Sequence, residues 1–588
     1  MTKYNWDLTK IIKDDKEYNN ICDDINSTLN ELLKYKGKIL NNSENLLKVL
    51  DLDTHIEQLI EKIYVYSFLS YYSDMSSVKF QEYKEKSLLL LNEVTSKTSF
   101  ITPELLSSSY SKVQKYIEEN KGLERYKLTL ERTYKYKEHT LSEKEEKILS
   151  DVSEIMGVSK STYDALDNID VKFKTVKDEN GKKISLTQSN YGVFLTNKNR
   201  NFRKRVFNSH YAFYKDHINT ISNLYIGKIK SNCFISKTRK YNSALEMKLF
   251  PDNVNKKLYD NLIKITNNNL KYLKEYYKLK EIKLGYKLHM YDLYVNTSSK
   301  TKDIIPYEEG VKLANSALSV LGKDYLTNFN HLINSNCVDV YPKDKKRSGA
   351  YEWGCYDALP YVSLNYENDI NSVSTLVHEM GHAMHTYYSN NSQDYLYAGY
   401  PIFLAEIAST VNEILLSEYL INNAKEKSEK EYYLIEFLDK FKATVYRQVM
   451  FAEFEKIAHE KYEKDGILTM DYLCNQYLKL NKKHFGPVIK VDDTIKYEWA
   501  RIPHFYDSFY VYKYATGFIS ALIIANNLLN DKSFKDKYIK FLSSGSILYP
   551  LDLLKSIDID LESEEVLNKA FDIFKNKLEM LKEIEKEV

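Results

Sequence analysis

Residues 374 to 389 read "STLVHEMGHAMHTYYS" and gather three of the chain's 12 histidines. A helix turns about 100° per residue, so positions four apart lie almost above one another. His378 and His382 stand in that relation, with Glu379 directly after the first. Two imidazoles so placed can share one zinc ion, while the intervening carboxylate stays free as a general base. On the same helix Val373, Leu376, Val377, Met380 and Met384 form an apolar stripe suited to a core. His378, Glu379 and His382 fall on roughly the opposite side. Asp369, Asn371 and Ser372 are N-cap candidates just upstream.

Catalytic zinc usually takes three protein ligands and keeps one position open. His385 lies on a similar face, but one further turn along the axis, so packing or support suits it better. The next segment, "YPIFLAEIASTVNEILLSEYL", offers two glutamates. Glu406 interrupts an apolar run, and a buried carboxylate is costly unless paired or metal-bound. Glu413 follows seven residues later on the same face. Glu406 is the expected third ligand, with Glu413 orienting a ligand histidine.

The elements that must position these residues are mainly helices. Only 9 Pro and 17 Gly occur in 588 residues, and long stretches carry apolar residues at helical spacing. "HTLSEKEEKILSDVSEIMG" reads as one such helix, with Thr140 and Glu143 as a capping box and Gly157 near its end. "DVKFKTVKDENGKKISLTQSNYGVFL", residues 170 to 195, suggests a hairpin around its Asp-Glu-Asn-Gly turn. "NKNRNFRKRVFNSHYAFYKDH" opens another helix, whose basic run reads as a solvated face. "SGAYEWGCYDALPYVSLNYEND" is the best strand region of the C-terminal half. A strand directly ahead of the zinc helix could present a free edge to an extended peptide. Residues 1–195 are expected to form an N-terminal helical lobe and 196–588 the catalytic domain.

Charge and cysteine usage narrow the partners. With 84 Lys+Arg against 82 Asp+Glu, the net charge of +2 gives no case for nucleic acid or an anionic membrane. The N-terminal residues show no signal peptide, and runs such as "GFISALIIA" are too short to span a bilayer. Cys22, Cys233, Cys337, Cys355 and Cys474 are odd in number, without CxxC spacing, which suits a reducing, cytoplasmic setting. Monomer and homo-oligomer are equally compatible with the sequence.

Taken together, "HEMGHAMHTYYS", "YPIFLAEIASTVNE", "SGAYEWGCYDALPYVSLNY" and "IPHFYDSFYVYKYATGF" resemble the oligoendopeptidase F group of the thimet oligopeptidase-like zinc metallopeptidases. "YNWDLTKIIKDD" and "HTLSEKEEKIL" are similar to that group as well, so the resemblance runs nearly end to end. It implies a mainly α, two-lobed protein with zinc on the floor of a deep channel and a small β-sheet beside the zinc-binding helix. It implies cleavage of internal bonds in short peptides, and it matches Glu406 to the third zinc ligand. It also places a His and a Tyr against the substrate carbonyl, assigned here to His504 and Tyr510, with Tyr506 and Tyr512 open. Glu379 would accept a proton from zinc-activated water and pass it to the departing amine. A carboxypeptidase sharing the zinc motif and a non-catalytic peptide binder are the competing readings; a structural zinc would have no use for Glu379.

Overall fold

The structure, a computed structural model, describes residues 4–295, 297 and 304–586. Helices dominate, and the described strands form two small sheets. The chain divides into two compact units interleaved along its length. Unit 1 holds residues 1–143, 302–419 and 524–558; unit 2 holds 144–301, 420–523 and 559–588. Neither unit begins or ends at residue 195. No described helix is long and apolar enough to cross a membrane, and all five cysteines are free.

Unit 1 is built on α1, Ser43–Ser73, whose start is capped by Asn42 accepting from the Asn45 amide at 2.8 Å. Its Leu46, Val49, Ile56 and Leu69 pack against Ile12, Ile25 and Leu29 from the preceding helix region. Beside them lies a three-stranded sheet of β1 (Val338–Asp339), β2 (Tyr351–Trp353) and β3 (Tyr361–Ser363). β3 is central, parallel to β1 with Val338 opposite Val362, and antiparallel to β2 with Glu352 opposite Val362.

The strand directly ahead of the histidine helix is therefore not the free edge. Residues 4–7 cover the β1 edge: the Asp7 amide donates to Asn336 O at 2.9 Å, and the Val340 amide donates to Tyr4 O at 3.1 Å. The Trp6 indole reaches across to Val362 O at 2.8 Å. That leaves β2 as the outer strand. Its pleat sends Glu352 to one face and Tyr351 and Trp353 to the other, where both rings meet the unit 1 core.

α2, Ile370–Ser392, starts where expected: Asp369 is its N-cap and accepts from the Ser372 amide at 2.9 Å. Val373, Leu376, Val377, Met380 and Met384 are fully buried, which anchors one face and turns the histidines the other way. α3, Ile402–Asn423, crosses α2 at Gly381. A Cβ at Gly381 would lie 2.5 Å from Ser409 Cα and 2.8 Å from Ala408 O. Only a residue without a side chain permits this approach. Asn412 ties the same crossing by donating to Val377 O at 3.0 Å.

Several local expectations change. The helix at 143 runs through Gly157 to Ala165. Because it begins at Glu143, Thr140 lies outside it and donates instead to Tyr136 O at 2.9 Å. The hairpin is real but short, Val176–Lys177 with Lys183–Ile184. Residues 188–195 form a helix, because Thr187 and Asn190 make a reciprocal capping box. The basic run is not wholly solvated: buried Arg203 pairs with Asp292 at 2.6 Å, and Arg200 joins it at 3.0 Å.

Gly381→Ala is expected to destabilise unit 1 by about 1–3 kcal/mol through overpacking, read as a lower melting temperature. Gly399→Ala serves as the control, since a Cβ there meets nothing within 4 Å.

Candidate metal centre

The crossing at Gly381 sets the geometry of everything around it. Glu406 lies three residues before Ser409 on α3, and so arrives beside His378 and His382 of α2. His378 Nε2 and His382 Nε2 are 3.3 Å apart. Glu406 Oε2 stands 3.4 Å from the first and 3.6 Å from the second. Among the described residues this is the group whose donor atoms converge closely enough to hold a metal ion.

The donor set can be tested against zinc. Bonds of ~2.0–2.1 Å to nitrogen and oxygen place neighbouring corners of a tetrahedron ~3.3–3.4 Å apart. The three separations fall at or just above that spacing, so the triangle fits a small tetrahedral dication with one corner left over.

The surrounding charges fit as well. Glu413 Oε2 approaches the other nitrogen of the His378 ring, Nδ1, at 3.3 Å. Such a carboxylate fixes the tautomer and aim of a ligating imidazole. Glu379 is only 7% exposed, and burial raises its pKa despite the two histidines. Glu352 reaches in from β2, and burial lifts its carboxyl to about 7. Burial would depress His382, but Glu406, Glu352 and Glu379 around it hold its pKa above the usual value. Four carboxylates thus crowd two imidazoles, an excess of negative charge that a dication relieves.

The structure alters the reasoning behind two sequence expectations. Glu406 is not buried: its side chain is 48% exposed, whereas that of Glu413 is 14% exposed. The cost of burial did not select Glu406; its position one turn from the crossing does. His385 is a packing residue. It is fully buried, lies flat against Tyr400 at 3.7 Å and 3°, and burial takes its pKa down to about 3.

Comparison with known proteins shows the family of the chain. The family model described as Peptidase family M3 matches residues 193–573, and that described as Oligopeptidase F matches 104–173. The chain is 36% identical to oligopeptidase PepF of Bacillus subtilis, covering 98% of this chain and 87% of that one. It is 37% identical to the oligoendopeptidase F homolog of Lactococcus lactis subsp. lactis, covering 99% and 97%. The chain belongs to peptidase family M3. The crystal structure of oligoendopeptidase-F from Enterococcus faecium superposes with a TM-score of 0.76 at 31% identity, covering 98% of this chain and 100% of that one. Like the family M3 oligoendopeptidases, the protein is a hydrolase, a metallopeptidase.

The other residues expected of a family M3 enzyme lie in unit 2. There Glu498 is buried and receives Arg447 at 2.6 Å, Tyr211 at 3.0 Å, Tyr477 at 2.7 Å and Arg501 at 3.1 Å. This node fixes the segment that leads to His504. Beyond it the chain turns sharply at Phe509, a non-glycine residue at φ +61°. The turn is held from α4, Arg447–Asp465. Glu455 Oε1 accepts from the Phe509 amide at 2.9 Å, and Asn232 bridges Ser508 at 2.8 Å and His459 at 3.1 Å.

Of the four tyrosines near His504, two are packed away in the core. Tyr506 is buried and stacks on Tyr163 at 4.2 Å, and Tyr512 is buried against Tyr259. Tyr510 and Tyr514 are half-buried, their rings 6.5 and 5.7 Å from that of His504. Tyr514 OH lies 3.2 Å from His504 Nε2. Tyr514 lies in the first turn of the helix Tyr512–Asn530, Tyr510 just ahead of it, and their rings meet at 5.4 Å.

Glu406→Ala should lose most of its metal on dialysis, whereas Glu413→Ala should keep more and lose roughly 10–100-fold in affinity; metal content by mass spectrometry checks both. Glu455→Leu should leave the Phe509 amide without its acceptor and lower stability by about 1–3 kcal/mol. Adding Phe509→Gly, which removes the left-handed strain, should restore part of that loss in thermal unfolding.

Proposed function

We propose that the protein is a zinc-dependent endopeptidase that cuts internal bonds of short oligopeptides. The observation that carries this reading is a His378–His382–Glu406 triangle of tetrahedral spacing with buried Glu379 directly beside it. The family supports oligopeptide endopeptidase activity. The catalytic part is taken as residues 196–588, which contain every proposed site residue.

A zinc ion held by His378, His382 and Glu406 would supply Lewis acidity to water and to the scissile carbonyl. Glu379 supplies what the ion cannot, a proton acceptor. Its place in the helix, one residue from His378, brings the carboxylate to the same side as the donors. Burial keeps its proton affinity high, which suits a group that takes a proton from water and returns it to the amine. Glu413 holds His378 in the tautomer that leaves Nε2 free of a proton.

His504 and Tyr510 are proposed to donate hydrogen bonds to the carbonyl oxygen as negative charge develops there, with Tyr514 bonded to His504 and keeping its ring aimed. One preorganised donor of this kind contributes ~3 kcal/mol to the transition state. The outer strand β2 offers its free backbone groups to an extended peptide, which would add as a fourth strand. The peptide thereby gains orientation without dependence on any one side chain. We place this activity in the cytoplasm, consistent with five free cysteines, and with neither nucleic acid nor membrane as partner.

Glu379→Gln should retain stoichiometric zinc while peptide hydrolysis falls by at least ~10²–10⁴-fold; unchanged turnover would overturn the mechanism. Fragments from a mixed peptide pool, read by mass spectrometry with and without a chelator, should show internal cuts only without it. Failure to cut a peptide with a blocked C-terminus would instead indicate a carboxypeptidase.

A further inference from the structure

Unit 1 contains a cavity of about 590 Å³ that the proposed reaction does not use. α1 contributes Glu57 and Glu61, β2 contributes Glu352 and Trp353, and the segment after α2 contributes Tyr395 and Tyr400. Three carboxylates therefore face one aromatic-walled space.

The carboxylates are not compensated. Asp53, Glu57 and Glu61 follow one another at four-residue steps along α1, where like charges repel. Among the described residues no cation pairs with Glu57 or Glu61, and Glu352 faces only His382, which it shares with Glu406 and Glu379. Glu61 accepts one bond, from the Tyr356 amide at 3.1 Å. Burial raises Glu57 and Glu61 above the ordinary carboxylate range. Independently of that stripe, Glu352 Oε1 is shut off from solvent and accepts no hydrogen bond from the described residues. A buried oxygen left in that state is expensive unless a donor arrives from outside the chain.

The donor required is not a bare metal ion. The three glutamates do not bring their oxygens within ligating distance of one another, as the histidine triangle does. A cavity of this size is in the range that takes small organic ligands. Tyrosine rings beside carboxylates suit an ammonium or guanidinium, which interacts with both.

The location relates the cavity to the peptide. Thr386, which lines it, lies four residues beyond His382 on α2, a rise of ~6 Å along the axis. An extended peptide advances ~3.4 Å per residue. A cation in the cavity therefore belongs to a residue within about two positions of the bond cut.

We propose that this cavity is a subsite for a positively charged group of the peptide, selecting substrates that carry an ammonium or guanidinium within about two residues of the scissile bond. The proposal rests on the peptidase reading above. The charge has two possible sources, a Lys or Arg side chain and a free N-terminal amine.

The test uses zinc-loaded full-length enzyme and peptides of equal length, with Arg or its neutral isostere citrulline at each position flanking the cut. Each is made with a free or an acetylated N-terminus. The wild type should lose at least tenfold in kcat/KM, chiefly through KM, when the relevant charge is removed. Loss on the citrulline exchange assigns a side chain; loss on acetylation assigns the N-terminus. In Glu57→Gln/Glu61→Gln that discrimination should fall below threefold, while kcat/KM on the neutral peptides stays within twofold of wild type. Its melting temperature should be unchanged or higher, because the repulsion along α1 is relieved. Absence of preference in the wild type, or a preference that survives the double substitution, overturns the proposal. Should the wild type cut none of the peptides, the peptidase reading fails by itself. Binding of a fluorescent Arg peptide, compared between wild type and the double variant by anisotropy, then still decides the cavity. Equal affinities would refute it, and weaker binding by the variant would support it.

Discussion

Two helices touch at Gly381 more closely than any side chain would allow, and the candidate metal centre depends on that contact. With Ser409 Cα only 2.5 Å from where a Cβ would stand, α3 sits deep enough for Glu406, one turn away, to reach both histidines. The same crossing brings Glu413 to the far side of the His378 ring. Asn412 secures it through Val377 O, and Tyr325 OH in turn donates to Asn412 Oδ1 at 3.3 Å. A polar side chain and a missing side chain thus do complementary work. One fills the hydrogen-bonding need of the crossing, and the other removes the steric obstacle to it.

Electrostatics then separate the roles of four similar carboxylates. Glu406 keeps water access and a pKa lowered first by its contact with His382. Glu379 and Glu352 are raised by burial, and Glu413 is taken up by the imidazole edge. The chemistry available to each follows from its surroundings and not from its residue type. A centre arranged in this way favours a doubly charged occupant over a proton shared among the groups.

What the sequence made legible was local. The i,i+4 histidines, the intervening Glu379, the Asp369 cap and the apolar stripe of α2 all follow from helical periodicity, and all are present in the fold. Glu406 was reached by an argument about burial that does not hold, because exposure depends on neighbours outside the helix. The strand order escaped reading for a similar reason: β2 and β3 both carry aromatic residues, and only the docking of residues 4–7 on β1 decides which edge stays open. Gly157 sits harmlessly inside a helix, while Gly381, equally helical in pattern, is indispensable to a contact with residues far along the chain. The acidic stripe on α1 was in plain view, yet its meaning needs Glu352, brought from nearly 300 residues away. Tyr510 and Tyr514 separate from Tyr506 and Tyr512 only through packing.

The N-terminal segment that covers the β1 edge has a consequence for how the chain folds during synthesis. Trp6 and its acceptor Val362 are 356 residues apart, so at cellular elongation rates roughly 20–70 s separate their emergence from the ribosome. In that interval the Trp6 indole and the Tyr4 and Asp7 backbone await Val362, Val340 and Asn336, while α1 and its neighbouring helices can already pack locally. Late closure of so distant a contact favours slow maturation and reliance on chaperones that shield the waiting segment.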